Sequence, residues 1–479
     1  MRPLLPLSIV LVTALRLGLV LAGPDTDSDA YGHAMAARHV LNNPGDLTVH
    51  WVWLPLWHWV GALLALLGGA ITSARLLNVA LSIAPPLLLA RLLRRTTGDE
   101  ALATLAGCLL ALMPLGLGLG SSGQPEPLFL LLSLGSLVAW YEQRFALAGL
   151  ALGVATLCRY EAWVMPPVFL ALAWQRRSTP REAVRASLAW VLPGLFILAW
   201  CAVHWHAVGE PLLFLRENRA FAIDASQKLG FPWGREPHRL LMAIWYPLVI
   251  PASELRWFLP GALVGVAQVA RRLPPRLPAA MLGAGAVVVA FLSYGWVNRL
   301  NLGLFRHFYS ITPLLATLTA AGLLALFAMA RRRWPRTTRW PLLALTVALF
   351  ALTRTLPVYL WAASMNRGAY PSARATAAEL RRLDVTPSDR FVCDLTVVEQ
   401  LTPLPWRQVI RRPVASLRPD EVTDLAPGGR LFVVAAPEAV TALRPVARVV
   451  REDADEVLLE VLTPRPPLRL RGEGEGRVF

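Results

Sequence analysis

A polytopic α-helical membrane domain followed by a small water-soluble α/β domain is the fold class that this sequence predicts, and three observations predict it. The 479 residues are 55% hydrophobic and only 16% charged, where a soluble globular chain carries roughly 25% charged residues. The apolar residues gather into runs long enough to cross a bilayer, whose core of about 30 Å takes ~20 residues of helix. The last 117 residues break that pattern, with 17 arginines against 16 acidic residues in amphipathic and alternating stretches.

The first run, residues 4–22, is followed by Gly23-Pro24-Asp25, which is not a small-x-small cleavage site, and it reads as a retained first helix rather than a removed signal peptide. Further spans are expected near 73–93, 101–120, 127–141, 145–158, 162–175, 186–207, 254–270, 277–297, 308–329 and 340–362, which makes eleven crossings. With a cytoplasmic N-terminus, every even-numbered span ends in a basic loop, from Arg91, Arg94 and Arg95 through to Arg331, Arg332 and Arg333. Those loops and Arg2 hold 17 arginines and four carboxylates, so +13 of the formal net charge of +16 falls on the cytoplasmic side. The basic balance is therefore a topology signal, and nucleic acid drops out as a partner. The expected location is the cytoplasmic (inner) membrane, with the long loops 23–72 and 208–253 and the C-terminal domain on its outer face.

The domain boundaries that follow are 1–362 for the membrane domain, 363–463 for the extracytoplasmic α/β domain and 464–479 for a disordered tail rich in Pro, Gly and charge. Within the second domain, Arg374 to Leu383 reads as an amphipathic helix. Phe391 to Val398, Leu431 to Ala435, Val446 to Val450 and Val457 to Leu462 read as strands. The four cysteines are far apart and form no CxxC motif or disulfide framework.

The candidate chemistry lies on the outer side. The first loop carries Asp25, Asp27 and Asp29 at alternate positions, with Ser28 or Asp27 placed to cap a helix running to Leu41 and His33 one turn beyond Asp29. A carboxylate held there, at the lipid–water boundary, suits a base acting on a lipid-linked substrate. Next comes a tryptophan-rich segment from His50 to Trp59 that includes Trp53. Its composition is that of an interfacial stretch, and its rings also suit a sugar or an isoprenoid chain. Further polar groups stand at the outer helix ends: Glu126, Arg159 and Glu161, Arg299, and the run Arg306-His307-Phe308-Tyr309. Arg159 and Glu161 are equally suited to pairing with each other or with Glu126. Arg159, Arg299 and Arg306, with Lys228 and Arg235, bring cations to the side that holds the aspartates, and an arginine fork clamps phosphate well. Arg16 is a weaker candidate whose side chain is expected to snorkel to the surface. His33, His50, His58 and His307 lack zinc-ligand spacing, so no zinc site is expected. Asp27 and Asp29 form an Asp-x-Asp pair of a kind able to hold Mg²⁺ or Mn²⁺.

The order of these motifs resembles the GT-C superfamily of polytopic glycosyltransferases, and within it glycosyltransferase family 39. That family includes protein O-mannosyltransferases and lipid A aminoarabinose transferases. The resemblance covers roughly residues 1–330. It rests on the acidic motif opening a helix (Asp29 to Arg38), Trp53-Leu54-Pro55-Leu56, Pro125-Glu126, Arg159 to Pro166, and Arg306 to Pro313. It implies inverting transfer of a sugar from a polyprenyl-phosphate carrier to an acceptor at the outer face. In that pattern the first-loop acid matches Asp29, or Asp27, and the late basic motif near the donor phosphate matches Arg306. Ala30 stands where many members have Glu, so the two aspartates stay as alternatives. The rival readings are a transporter or flippase of a lipid-linked glycan and a non-catalytic assembly protein. Against transport, the ionisable residues cluster at one membrane edge and inverted repeats are absent from the sequence.

Overall fold

The computed structural model describes residues 3–461, apart from 51, 68, 176–178, 229–242, 273–275, 299, 331–338 and several short stretches between 387 and 428. The chain divides into two compact units, Met1–Arg367 and Gly368–Phe479.

The first unit is helical and is that of a multi-pass membrane protein. Five helical segments have the length and hydropathy of a crossing: Leu4–Ala22, Ala70–Thr97, Pro180–Val208, Phe305–Met329 and Trp340–Gly368. Glu100–Leu112, Glu126–Tyr141, Phe145–Thr156 and Met281–Val297 are shorter apolar helices. The expected apolar runs are all helical, but several are broken at a residue that cannot continue an α-helix. The run at 73–93 is two helices, Ala70–Leu81 and Ala84–Thr97, the second opening on Pro85 and Pro86. The run at 101–120 breaks at Met113, before Pro114. A proline supplies no N–H to the preceding turn and clashes with its carbonyl, so helices restart at it. The last apolar helix holds a π turn at Ala351–Thr355 and continues to Gly368, beyond the expected end at residue 362.

Helix–helix contact in this unit uses small residues, because lipid gives apolar faces no advantage in leaving it and close packing must hold the helices together. Leu259–Arg272 presents Gly261 and Gly265, one turn apart, to Gly322 of Thr312–Ala330. A Cβ at Gly322 would stand 1.7 Å from the Gly261 carbonyl oxygen, and one at Gly265 would stand 1.8 Å from that of Leu318. The backbones touch, and no side chain fits between them.

The second unit holds a five-stranded sheet in the order β2-β1-β3-β5-β4. β1 (Arg390–Cys393) runs parallel to β2 (Val409–Ile410) and β3 (Leu431–Ala435), while β5 (Val457–Val461) is antiparallel to both β3 and β4 (Ala447–Glu452). β3 is buried along its whole length, with Val392, Leu431, Val433 and Leu459 in one apolar cluster and Phe391, Phe432 and Leu458 in another with Leu380 of the helix Pro371–Arg382. The helix and β3 lie where the hydrophobic pattern puts them. The two-residue β2 has no pattern to read, the described part of β1 ends at Cys393, and the expected tail 464–479 lies outside the described residues.

Replacing Gly322 with Leu should separate the 259–272 and 312–330 helices at an overpacking cost of about 1–3 kcal/mol or more. The expected result is a lower midpoint of thermal unfolding in detergent. An unchanged midpoint would show that the crossing does not hold the unit together.

Candidate active site

The site is assembled on an anchored loop. Leu4–Ala22 delivers the chain to Asp25, whose carboxylate accepts hydrogen bonds from Ser122 Oγ and the Gly123 amide, both at 2.8 Å. Arg75, inside the Ala70–Leu81 helix, donates to the carbonyls of Gly23 (2.7 Å), Ser121 (2.8 Å) and Leu19 (3.0 Å). Asn78, one turn further, donates to the Ser122 and Gln124 carbonyls at 2.7 and 2.6 Å, and Trp57 Nε1 donates to Gly123 at 2.8 Å. Two loops with no regular partners of their own, 23–27 and 120–125, are thereby tied together with their backbone groups satisfied, as burial requires.

Four carboxylates are then presented at three helix N-termini, where the aligned backbone dipoles favour negative charge. Asp27 is the N-cap of Ser28–Asn42, accepting from the Asp29 amide at 3.0 Å, and Asp29 sits in its first turn. Glu126 opens Glu126–Tyr141, and Glu161 lies in the first turn of the 3₁₀ segment Tyr160–Val164. Two arginines bind them together. Arg306, at the start of Phe305–Ile311, forms an ion pair with Asp29, lies 3.4 Å from Asp27 and has its Nε 3.8 Å from Glu126. Arg159 pairs with both Glu126 and Glu161. Both pairings expected for Arg159 are therefore present. Burial and the neighbouring Asp25, Asp29 and Glu126 push the Asp27 carboxyl up to about 6, against the pull of Arg306.

These groups border a cavity of about 600 Å³. Asp29, Arg159, Glu161, Arg306 and His307 line it, and His33 and Trp53 form one wall with their ring centroids 4.5 Å apart. Glu126 lies behind the two arginines, with its carboxylate buried at 1% exposure. Asp27 caps the helix beside the cavity. Tyr309 is not brought to the wall. Three residues of 3₁₀ helix carry it roughly 6 Å beyond Arg306, and it is buried against Leu119 and Leu130. Arg16 does not snorkel: it is 1% exposed and donates to the Gly116 carbonyl at 2.9 Å, a carbonyl near the irregular stretch around Gly120 being a stronger attraction than distant solvent. The tryptophan segment points inward more than an interfacial stretch would, with Trp57 2% exposed. Arg299, Arg235 and the Lys228 side chain lie outside the described residues.

Several positions that the sequence reading passed over complete the cavity. Asn218 and Arg219 line it from Leu213–Lys228, and Asn301 from the turn before Arg306. Tyr246 joins Asn301 and His307 through its hydroxyl at 3.3 and 3.2 Å. Asp25, Arg75 and Asn78 have anchoring roles. Arg75 and Asn78 did leave a signal, two polar residues three apart inside an apolar run, which is costly unless each has a partner. Among the described residues no group of three or more His, Cys, Asp and Glu is arranged to hold a metal ion. The Asp27 and Asp29 carboxylates are engaged by Arg306.

Residues 54–206 match the family model described as dolichyl-phosphate-mannose-protein mannosyltransferase. The chain is similar in structure to ArnT from Cupriavidus metallidurans bound to undecaprenyl phosphate, with 15% identity over 95% of this chain and 97% of that one and a TM-score of 0.63. The apo form of the same protein gives 14% identity over 95% and 98%, with a TM-score of 0.64. No curated protein sequence matches the chain. The matched segment begins at Leu54 and contains Trp57, Trp59, Glu126, Arg159 and Glu161, so the resemblance to GT-C membrane glycosyltransferases is one of sequence over that segment and of fold over the chain.

Proposed function

We propose that the chain is an inverting glycosyltransferase. It moves a hexosyl or pentosyl group from a polyprenyl-phosphate carrier to a glycolipid, polysaccharide or protein acceptor on the outer face of the cytoplasmic membrane. The observation that carries this reading is the clasp of Asp29 by Arg306 at the wall of the cavity. A base and a phosphate-binding cation stand together there, each held by its own element. The likeness to a protein solved with undecaprenyl phosphate supports a lipid-linked donor.

Asp29 is the base in this reading, because it lines the cavity while Asp27 is spent on capping the helix that carries it. The acceptor hydroxyl attacks the anomeric carbon and loses its proton to Asp29, and the bond from that carbon to the phosphate oxygen breaks. The leaving group is a lipid phosphate, whose developing charge draws the Arg306 fork away from Asp29. Glu126 Oε2 and Gln124 Nε2 are buried without hydrogen-bond partners among the described residues, and they suit sugar hydroxyls or water at the cavity edge. Asp27 and Asp29 already share a cation in Arg306, so the chemistry proposed takes its positive charge from arginine.

Asp29→Asn should lower transfer from an undecaprenyl-phosphate sugar by about 10²- to 10⁴-fold while undecaprenyl phosphate still binds. Transfer at the wild-type rate would overturn the assignment. Arg306→Lys keeps the charge and loses the planar fork, so it should weaken binding of undecaprenyl phosphate in a direct titration. Equal affinity would remove Arg306 from the phosphate site.

The pH profile tests Asp27. Burial pushes its carboxyl up to about 6, so the ionised form is favoured above that pH and the protonated form below it. A protonated Asp27 no longer pairs with Arg306, and the rate should fall as pH drops through about 6. In Asp27→Asn that limb should disappear from a lower plateau; an unaltered profile would assign the limb to another group.

A further inference from the structure

Three histidines outside the charged clasp make a continuous chain. His33 Nδ1 lies 2.9 Å from His58 Nε2, and His58 Nδ1 lies 2.8 Å from His50 Nδ1. Both ring nitrogens of the middle residue are used, and successive ring centroids are 5.1 Å apart. All three are buried, at 5%, 0% and 1% exposure. Because the rings are joined in series and their nitrogens do not converge on a point, this is not a metal site.

The chain has a direction. His33 lies four residues after Asp29 on the helix Ser28–Asn42, so the two share a face, and both line the cavity. At the other end, His50 is within electrostatic reach of Asp46 and His39, which form a partly exposed pair at 2.7 Å. Arg306, Arg159 and the Gln124 side chain face His33. His58 faces only the other two imidazoles, and His204 joins Asp46 and His39 around His50. Burial holds all three rings below their usual range, His50 at about 4, so each is neutral at pH 7 with one N–H and one lone pair.

We propose that His33, His58 and His50 form a proton relay that drains the cavity toward the Asp46–His39 pair while substrates seal it. The proposal rests on the glycosyl-transfer reading above. In that reaction a phosphodiester and an alcohol become a glycoside and a phosphate monoester, the bond between the anomeric carbon and oxygen is exchanged, and no electrons change hands. The monoester leaves as a dianion, so one proton per turnover must depart from the base. A neutral imidazole chain passes it by accepting at His33 Nε2, the ring nitrogen not bonded to His58, shifting each N–H along, and releasing at His50. No ring needs to rest as an imidazolium beside the two arginines. When products leave and water returns to the cavity, the reverse shift restores the starting tautomers without turning a buried ring.

The test is His58→Gln, whose amide still hydrogen-bonds but cannot take a proton at one end and give it up at the other. Transfer from a panel of undecaprenyl-phosphate hexoses and pentoses is measured at rising imidazole buffer concentration, alongside titration with undecaprenyl phosphate alone. The wild type should be insensitive to buffer. The variant should lose about tenfold or more in kcat at low buffer, recover it as buffer rises, and bind undecaprenyl phosphate unchanged. Wild-type kcat in the variant, or a loss that buffer does not rescue, overturns the relay. If His58→Gln does not fold, His50→Gln is read in the same way. A wild type that transfers no sugar from any donor overturns the transferase reading together with the relay, which separates the two failures.

Discussion

Charge inside a membrane-embedded unit must be paired or hydrogen-bonded, and here that requirement determines where every functional group stands. An unpaired carboxylate or guanidinium in such surroundings costs several kcal/mol. Among the described residues, Asp27, Asp29, Glu126 and Glu161 have Arg306 and Arg159 to neutralise them, and each arginine is shared between carboxylates from different elements. Sharing fixes the elements relative to one another more tightly than separate pairs would, since moving one helix strands two charges. The helix N-termini behind the acids absorb part of the remaining negative charge. The same rule explains the anchor beneath the site, where Arg75 satisfies the carbonyls of Gly23, Ser121 and Leu19 and Asp25 accepts from Ser122 Oγ and the Gly123 amide.

What sequence alone could reveal follows from the same physics. Hydropathy located the apolar runs because lipid is the solvent, and proline placement located most breaks within them only in retrospect, since a Pro at the first turn of a new helix and a Pro kinking an old one look alike. The helix capped by Asp27 was legible because capping is local chemistry read within three residues. The union of Asp29 with Arg306, 277 residues apart, was legible only as two polar motifs on one predicted side. Distance along the chain carries no record of which arginine reaches which carboxylate. Tyr309 was grouped with Arg306 because they are near in sequence, yet a rise of roughly 6 Å over three residues moves it out of the cavity wall. Asn301 and Asn218 left no mark, because asparagine in a loop or helix end has many ordinary reasons to be there.

The histidine chain shows a different limit. His33, His50 and His58 carry no metal-ligand spacing in the sequence, and spacing says nothing of a series of rings. Their order in space, with His58 between the other two, comes from the fold of the tryptophan-rich segment, which turns back so that Pro55–Ala65 packs against Ser28–Asn42. A run of aromatic residues that composition assigns to the headgroup region thus serves as a dry wall. Trp53 covers His33, and Trp59 and Trp200 stand edge-on to His50, which keeps competing water from the imidazole nitrogens.

The shared arginine has a consequence for the order of events. In the proposed reaction the unloaded cavity waits with Arg306 bound to Asp29. A donor phosphate offers the guanidinium a second anion of matching geometry. In that reaction the fork turns toward the second anion, and Asp29 is left to accept a hydrogen bond from the acceptor hydroxyl. Release of the carboxylate by the donor's own phosphate would order the substrates, donor before acceptor. In that scheme Glu126 Oε1, 3.8 Å from Arg306 Nε, keeps the arginine anchored during the swing while Oε2 stays open to a sugar hydroxyl or water, so one carboxylate ties the donor's arrival to the position of the guanidinium.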